Sequence, residues 1–192
     1  MRRRYMGGVK KLPYDAEVEY LESTGTQYIT LPVSFAVGDY AAVGGELNPG
    51  EYTGRKRIVE SNPRSEIDIM KYGSLSSVIV FNTGMGRVNE TQYMKPPLNV
   101  VSSWEVSTTG VTFNGTFSEL SRPLTRAVTT ITIFCNNGSP TQFMSFYVKN
   151  ANGKVFDLIP VRVGNIGYMY DKVSGALYGN EGTGAFIVGP DK

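Results

Sequence analysis

Short stretches in which apolar and polar residues alternate recur along the chain. Examples are residues 28–31 (Tyr-Ile-Thr-Leu), 104–107 (Trp-Glu-Val-Ser) and 111–113 (Val-Thr-Phe). A period of two residues is typical of β-strands that bury one face. No stretch longer than about ten residues combines a helical apolar stripe with a cap, so we expect helix to be limited to a turn or two. The pattern predicts an all-β protein.

Turn signals separate these predicted strands. Asparagine or threonine precedes glycine at four places, residues 109–110, 114–115, 137–138 and 152–153, and such pairs favour tight hairpin turns. The clearest hairpin joins residues 146–148 to residues 155–159, and we expect it to end at Pro160, which cannot donate a ladder hydrogen bond. These signals together predict a series of antiparallel strands.

Length and composition fit a single domain of this class. The chain has 192 residues, of which 41% are hydrophobic and 19% charged, with 22 glycines and 10 prolines. Sandwiches of this length fold as one unit, and frequent glycine and proline suit many short strands joined by turns. The polar segment between residues 82 and 98 is predicted to be a crossover or rim loop. There, packing of Tyr93 is favoured over a binding role, which stays open.

Basic residues are concentrated at the amino end. The first eleven positions contain no acidic residue and five basic ones, namely Arg2, Arg3, Arg4, Lys10 and Lys11. Such a segment can anchor a protein on an acidic partner, and it is also typical of solvated tails. The rest of the chain is acidic on balance, which does not favour nucleic-acid binding. We predict an arm over residues 1–14 and a folded domain over residues 15–192.

Targeting and cysteine signals are sparse. Lys10 and Lys11 interrupt the apolar stretch that a classical secretion signal would need, and no run approaches the roughly 18 apolar residues of a membrane-spanning helix. Cys135 is the single cysteine, which rules out an intrachain disulfide and a zinc site built from a cysteine cluster. Its apolar neighbours predict a core thiol.

Three segments resemble a known group of sandwich domains. They are residues 19–29 (EYLESTGTQYI), residues 99–104 with the strands at 111–117 and 131–134, and the closing residues 156–162, 167–180 and 182–186. Together they resemble concanavalin A-like, laminin-G-like jelly-roll domains, in the form found in phages and prophages of Bacteroides-type gut bacteria and in surface proteins of those bacteria. The resemblance covers roughly residues 16–189 and fits poorly between about 45 and 98. It implies two packed antiparallel sheets.

The resemblance also implies a function. A short arginine-led start fused to such a domain is similar to small virion or prophage proteins. We therefore expect a non-enzymatic bacteriophage structural protein, such as a capsid decoration, head fibre or tail-associated component. It would be made in the host cytoplasm and attached to other virion proteins by its arm. The alternative is a carbohydrate-binding module or a surface adhesin of a gut bacterium, and oligomerisation stays open.

The displayed domain is also a candidate for weak adhesion to host or mucosal glycans. Such adhesion would use aromatic side chains that stack on sugars and polar ones that bind hydroxyl groups. For Asp171 a structural role is favoured, because it can accept backbone N–H groups across the turn that follows it. Trp104 lies in a strand pattern and is favoured as core. The predicted binding residues are Tyr93, Tyr168, Tyr170, Asp171 and Asn180.

An enzymatic role is not predicted. Some members of the superfamily hydrolyse β-glucans with a Glu-x-Asp strand followed by a second glutamate, and Glu66 and Asp68 resemble its beginning. Met70 and Lys71 stand where that second glutamate belongs, and neither can act as the carboxylic acid that retaining hydrolysis needs. The chain has no histidine, so no Ser-His-Asp triad or histidine-ligated metal site can form.

Calcium is the remaining cofactor that the resemblance raises. Laminin-G-like domains often bind it at the rim of the sandwich through oxygen ligands. The candidate aspartates are scattered in the sequence and form no acidic loop, namely Asp39, Asp68, Asp157 and Asp171. We predict no metal and no cofactor.

Overall fold

The computed structural model describes residues 11–35, 40–50, 55–62, 65–72, 75–82, 99–119, 128–135 and 140–192. These residues form strands, turns and bends, with no helix among them. In chain order the strands are β1 (Ala16–Glu17), β2 (Leu21–Ser23), β3 (Ile29–Phe35), β4 (Tyr40–Asn48), β5 (Arg55–Asn62), β6 (Ser65–Tyr72), β7 (Leu75–Asn82), β8 (Ser102–Ser107), β9 (Gly110–Phe113), β10 (Thr116–Glu119), β11 (Val128–Ile133), β12 (Thr141–Asn150), β13 (Gly153–Val163), β14 (Ile166–Asp171), β15 (Leu177–Tyr178) and β16 (Ile187–Val188).

The strands form two antiparallel sheets packed against each other. The larger sheet has the order β10-β9-β8-β4-β12-β13-β14-β15, with β1 paired to β13, β2 to β12 and β16 to β2. The smaller sheet has the order β3-β11-β5-β6-β7. This arrangement confirms the predicted all-β class and the two-sheet antiparallel sandwich.

Alternation along the strands produces the core. In β3 the side chains of Ile29, Leu31, Val33 and Phe35 are buried, whereas those between them are partly or fully exposed. The two sheets meet around aromatic rings, with the Phe134 ring 4.6 Å from that of Phe143. Edge-to-face contacts of this kind add to the free energy gained by burying apolar area. Trp104 and Cys135 are also buried, as predicted for core residues.

The predicted hairpin is present as β12 and β13, but its predicted end is wrong. β13 continues through Pro160 to Val163, with Pro160 paired to Met169 of β14. On the other side of β13, pairing with β12 reaches Leu158 and pairing with β1 begins at Val161. At this junction the Pro160 carbonyl oxygen accepts the Val18 backbone N–H at 3.0 Å, so the strand continues although the prolyl nitrogen has no hydrogen to donate.

The turn at Asn114 and Gly115 also forms as predicted. Both residues have positive φ, 44° and 80°, and they join β9 to β10. Asparagine tolerates this left-handed conformation better than most residues. The Asn114 side chain also accepts a 2.9 Å hydrogen bond from the Ser103 backbone N–H, which holds the turn against β8. The pair at residues 137–138 lies outside the described residues.

In the part of the chain that the structure covers, no helix is long and apolar enough to cross a membrane.

Candidate functional site

Asp171 lies at the end of β14, and its side chain is fully buried. Its Oδ1 accepts the backbone N–H groups of Asp157 at 2.9 Å and Val173 at 3.1 Å. Its Oδ2 accepts the backbone N–H of Ser174 at 3.1 Å and the Ser174 hydroxyl at 2.6 Å. The carboxylate thus holds the turn after β14 and fixes it to β13. This is the turn arrangement that its sequence position favoured.

Asn180 holds the loop between β15 and β16. Its side-chain oxygen accepts the backbone N–H groups of Gly182 at 2.8 Å and Tyr28 at 3.2 Å. Its side-chain nitrogen donates to the carbonyl oxygens of Gly182 and Gly184, at 3.3 Å and 2.9 Å. All these partners are backbone groups of the chain itself. Asn180 therefore orders the loop and attaches it to the start of β3.

Tyr168 and Tyr170 lie on β14, and both side chains are half-buried. The Tyr170 ring contacts the Tyr14 ring edge-on, with centroids 4.9 Å apart, which attaches the residues before β1 to the sandwich. Tyr168 lies against Gly179, where an added Cβ would be 3.1 Å from the ring. Tyr93 and four arm residues lie outside the described residues, namely Arg2, Arg3, Arg4 and Lys10. Lys11 is described, and it is exposed.

The structure therefore brings four predicted binding residues into one region, around β14 and the segment after it. Two of them, Asp171 and Asn180, use their polar atoms on the chain itself. A fifth residue that the sequence did not single out, Gln27, belongs to the same region and is 2% exposed. Its side chain donates to the Thr183 carbonyl at 3.0 Å and accepts the Thr24 backbone N–H at 2.7 Å. The opening segment, residues 19–29, and the closing segment, residues 167–186, are thus hydrogen-bonded to each other.

A different set of polar residues lies on the outer face of the larger sheet. Register places five residues directly opposite one another, strand by strand, from β9 to β13. This cross-strand row is Thr112, Glu105, Gly44, Tyr147 and Asp157. Sequence patterns marked none of them as a site, because residues far apart in the chain become neighbours through the register of β4 between β8 and β12.

Gly44 makes room at the centre of the row. An added Cβ there would lie 2.6 Å from the Tyr147 hydroxyl and 2.5 Å from the Trp104 carbonyl oxygen. The Tyr147 side chain crosses this gap, and its hydroxyl donates a 2.5 Å hydrogen bond to Glu105 Oε2. A larger residue at position 44 would block that path. The glycine is therefore a requirement of the polar row.

Lysine side chains neutralise the carboxylates of the row. Lys149 Nζ is 2.7 Å from Glu105 Oε2, and it also lies 4.5 Å from the centre of the Tyr147 ring. Lys154 and Lys172 both pair with Asp157, at 3.0 Å and 3.2 Å. Each acidic side chain of the row thus has at least one ammonium partner.

These contacts shift the pKa values of the row. Partial burial raises the pKa of Glu105, but hydrogen bonds from Lys149 and Tyr147 outweigh it and hold the pKa below the ordinary value. Asp157 behaves in the same way: burial raises its pKa, and Lys154 and Lys172 lower it further than burial raises it. Burial and the bond to Glu105 raise the pKa of Tyr147. At neutral pH both carboxyl groups are ionised and the phenol is protonated.

The row borders a groove of about 590 Å³. Besides row residues, hydroxyl groups of Ser103 and Ser145 and the ammonium groups of Lys154 and Lys172 line it. Glu46 adds a third carboxylate, which is exposed. We call this feature the outer groove. Its lining combines many hydrogen-bond donors and acceptors with apolar surface from Trp104 and Ile159, which suits a ligand that carries hydroxyl groups on an apolar frame.

Glu105 and Asp157 lie too far apart to act as the acid pair of a glycosidase. Glu105 and Asp157 stand three strand positions apart, which is about 14 Å at the usual strand spacing. Hydrolysis requires two carboxyl groups separated by about 5–9.5 Å, one of them protonated.

Glu66 and Asp68 lie on β6, as the strand pattern predicted, and their side chains lie outside the described set. Among the described residues, no three His, Cys, Asp or Glu side chains are grouped to hold a metal ion.

No protein family matches the chain, and neither a curated protein sequence nor a solved structure matches it. The function is therefore inferred from the residues of the sandwich, from the charge pattern of the arm and from the resemblance of the three segments.

Proposed function

We propose that this chain is a non-enzymatic structural protein of a bacteriophage particle, whose β-sandwich is displayed and binds glycans weakly through the outer groove. The observation that carries the binding part is the groove itself. It collects hydroxyl, carboxylate and ammonium groups over a flat sheet face. Such groups donate to and accept from sugar hydroxyls at the same time.

The rigidity of this surface also supports binding. The outer groove is built on paired strands in the middle of the larger sheet, with β4 hydrogen-bonded to both β8 and β12. Side chains on paired strands are held more precisely than side chains on loops. Ion pairs and the Tyr147–Glu105 bond fix their positions further. A ligand would therefore meet a surface that is largely ordered beforehand, which lowers the entropy cost of binding.

The arm supports the virion part of the proposal. Five basic residues with no acid among them can attach the chain to an acidic surface of a neighbouring coat protein, and they precede a domain that resembles phage jelly-roll domains. Tyr14, the last residue of the predicted arm, packs on Tyr170 of β14, so the end of the arm is attached to the sandwich. The same groove would serve the alternative, a carbohydrate-binding module or adhesin of a gut bacterium.

Glycan binding is tested with one blocking variant and one matched control. Ser103→Trp places a large ring on the outer groove, whereas Ser34→Trp places the same ring on an exposed position of β3 in the smaller sheet. On an array of capsular, mucin and plant glycans, we expect binding by the wild-type chain and by Ser34→Trp, and its loss in Ser103→Trp. Equal binding by both variants would remove the groove from the proposal.

Attachment to particles is tested separately. Replacing Arg2, Arg3, Arg4, Lys10 and Lys11 by glutamine removes the arm's charge and leaves the Tyr14 contact in place. We expect this variant to be absent from purified particles, while a variant that exchanges each arginine for lysine and each lysine for arginine is incorporated. Mass spectrometry of the particles measures both. Normal incorporation of the uncharged variant would overturn attachment by the arm.

A further inference from the structure

We infer that residues 180–183, the covering segment, close the free edge of β3 and prevent a second copy of the chain from adding a strand to the smaller sheet. The covering segment lies between β15 and β16. Because this inference concerns self-association, it goes beyond the proposed attachment and glycan binding and does not depend on them. Three observations carry it: the position of β3, the partners of its outward N–H groups and the proline within it.

β3 is the terminal strand of the smaller sheet, and among the described residues β11 is its only partner strand. Such a strand directs the N–H and C=O groups of every second residue away from its sheet, where they can pair with a strand of another molecule. In β3 and the residue before it, this outward series is Tyr28, Thr30 and Pro32. The N–H groups of Tyr28 and Thr30 identify it, because they donate to the covering segment and not to β11.

The covering segment occupies the first two positions of this series. Tyr28 donates its N–H to Asn180 Oδ1 at 3.2 Å, and its carbonyl oxygen accepts the Glu181 N–H at 2.9 Å. Thr30 donates its N–H to Glu181 Oε1 at 3.1 Å. Glu181 therefore contacts two successive edge positions, one through its backbone and the other through its carboxylate. A strand from another molecule would have to break these hydrogen bonds before it could pair there.

Pro32 closes the third position in a different way. It lies exposed within β3, and its ring nitrogen carries no hydrogen to donate. Proline is tolerated in a strand where its nitrogen faces such a free edge. Antiparallel pairing requires each residue of the outward series both to donate and to accept. An incoming strand would therefore meet no available donor at positions 28, 30 and 32.

The geometry identifies the excluded partner as a second copy of the chain. Two β3 strands placed antiparallel with Leu31 at the centre bring position 30 of each copy opposite position 32 of the other. Both positions belong to the outward series, so with N–H groups available at both, each such pair could exchange two N–H···O bonds. Any arrangement that holds many copies close together would favour this pairing. Glu181 and Pro32 remove its donors.

The covering segment is held by more than the Glu181 side chain. The Thr183 N–H donates to the Thr26 carbonyl oxygen at 3.2 Å, and the Thr183 carbonyl oxygen accepts the Gln27 side-chain N–H at 3.0 Å. Glu181→Ala should therefore release the Thr30 N–H and leave the segment in place. This makes the contact accessible to a selective test.

The test measures the mass of the full chain in solution, by light scattering during size-exclusion chromatography, over about a hundredfold range of concentration. Glu181→Ala with Pro32→Thr restores both outward donors. We expect this double variant to self-associate with a dissociation constant at least about tenfold below that of the wild-type chain. The control, Glu19→Ala with Pro13→Thr, exchanges an exposed glutamate and an exposed proline outside β3. It should keep the wild-type mass at every concentration.

Amide hydrogen exchange locates the effect on β3. At low concentration, Glu181→Ala alone should speed exchange at Thr30 at least about tenfold and leave Leu31, whose N–H faces β11, unchanged. In the double variant at high concentration, exchange at Thr30 should slow again, because its N–H then pairs with the second copy. Protection at Leu31 also reports that the smaller sheet is folded.

Two results would overturn the inference. Unchanged exchange at Thr30 in Glu181→Ala would mean that the carboxylate does not cover this N–H, and a folded double variant with the wild-type mass would mean that the cover is not what prevents pairing. If the double variant loses protection at Leu31, the masses of Glu181→Ala and Pro32→Thr are measured separately, and the wild-type mass in both counts equally against the inference. None of these results bears on glycan binding or on attachment by the arm.

Discussion

At the scale of single residues, the buried carboxylate of Asp171 stabilises the turn after β14 and its attachment to β13. It accepts four hydrogen bonds, from Asp157, Val173 and twice from Ser174. Asp171→Ala leaves those donors without a partner, and we expect the free energy of unfolding to fall by roughly 2–4 kcal/mol. Ser174→Ala removes the hydroxyl alone and should cost about 1 kcal/mol. Urea unfolding measures both. Equal losses in the two variants would show that the carboxylate does not organise the turn.

Residue chemistry explains why Asp171 was predictable and Gln27 was not. Asp171 is followed by Lys-Val-Ser-Gly, a sequence typical of a turn in which an aspartate accepts nearby backbone N–H groups. The local sequence therefore indicates what its oxygens bind. Gln27 lies in a polar stretch that reads as an exposed turn. Its burial comes from Thr183, 156 positions away, whose carbonyl accepts its amide N–H. A contact of that separation leaves no local pattern.

At the scale of elements, the loop between β15 and β16 depends on close approach to the turn before β3. An added Cβ at Gly182 would lie 2.0 Å from the Thr26 carbonyl oxygen, a backbone atom that cannot rotate away. We expect Gly182→Ala to lower the free energy of unfolding by about 1–3 kcal/mol, because the loop must separate from its partner.

Gly164→Ala is the control for this substitution. Gly164 has φ of 58° and nothing within 4 Å of an added Cβ, so alanine there costs conformational strain alone, about 1 kcal/mol. Differential scanning calorimetry of both variants separates close approach from strain. If Gly182→Ala unfolds at the wild-type temperature, the two segments are not held together as described.

Strands were predictable because their signal is local, whereas their arrangement is not. The alternation around Trp104 and Val111 gave β8 and β9, and the turn at Asn114 gave the hairpin of β9 and β10. The continuation of β13 through Pro160 was missed because it depends on where two partner strands meet. The outer groove was missed for the same reason: Glu105 and Tyr147 are 42 positions apart and meet only across Gly44.

At the scale of the whole molecule, the charges divide into two systems that act differently. The arm carries five unbalanced positive charges, so its attraction to a partner should weaken as salt rises. On the sheet face, by contrast, every acid of the cross-strand row has an ammonium partner. Attachment and glycan binding are therefore expected to respond differently to ionic strength, with glycan binding nearly insensitive to it.

The paired carboxylates of the row also make stability depend on pH. The folded pKa values of Glu105 and Asp157 lie below the ordinary values of 4.5 and 3.8. Their contribution is therefore complete above those ordinary values and is lost as the pH falls through the lower folded values. Because both groups are partly exposed, with 32% and 20% of their side chains accessible, we expect the loss to total about 1 kcal/mol.

Urea unfolding of the wild-type chain and of Glu105→Gln with Asp157→Asn, at pH 7 and pH 3 and constant ionic strength, measures this contribution. The double variant should lose less stability between the two pH values, because its amides do not titrate. Glu46→Gln removes an exposed carboxylate of the same groove and should keep the wild-type dependence. A double variant that loses as much stability as the wild-type chain would mean that the ion pairs of the row do not contribute to folding, and that the charge balance of the groove is not maintained in solution.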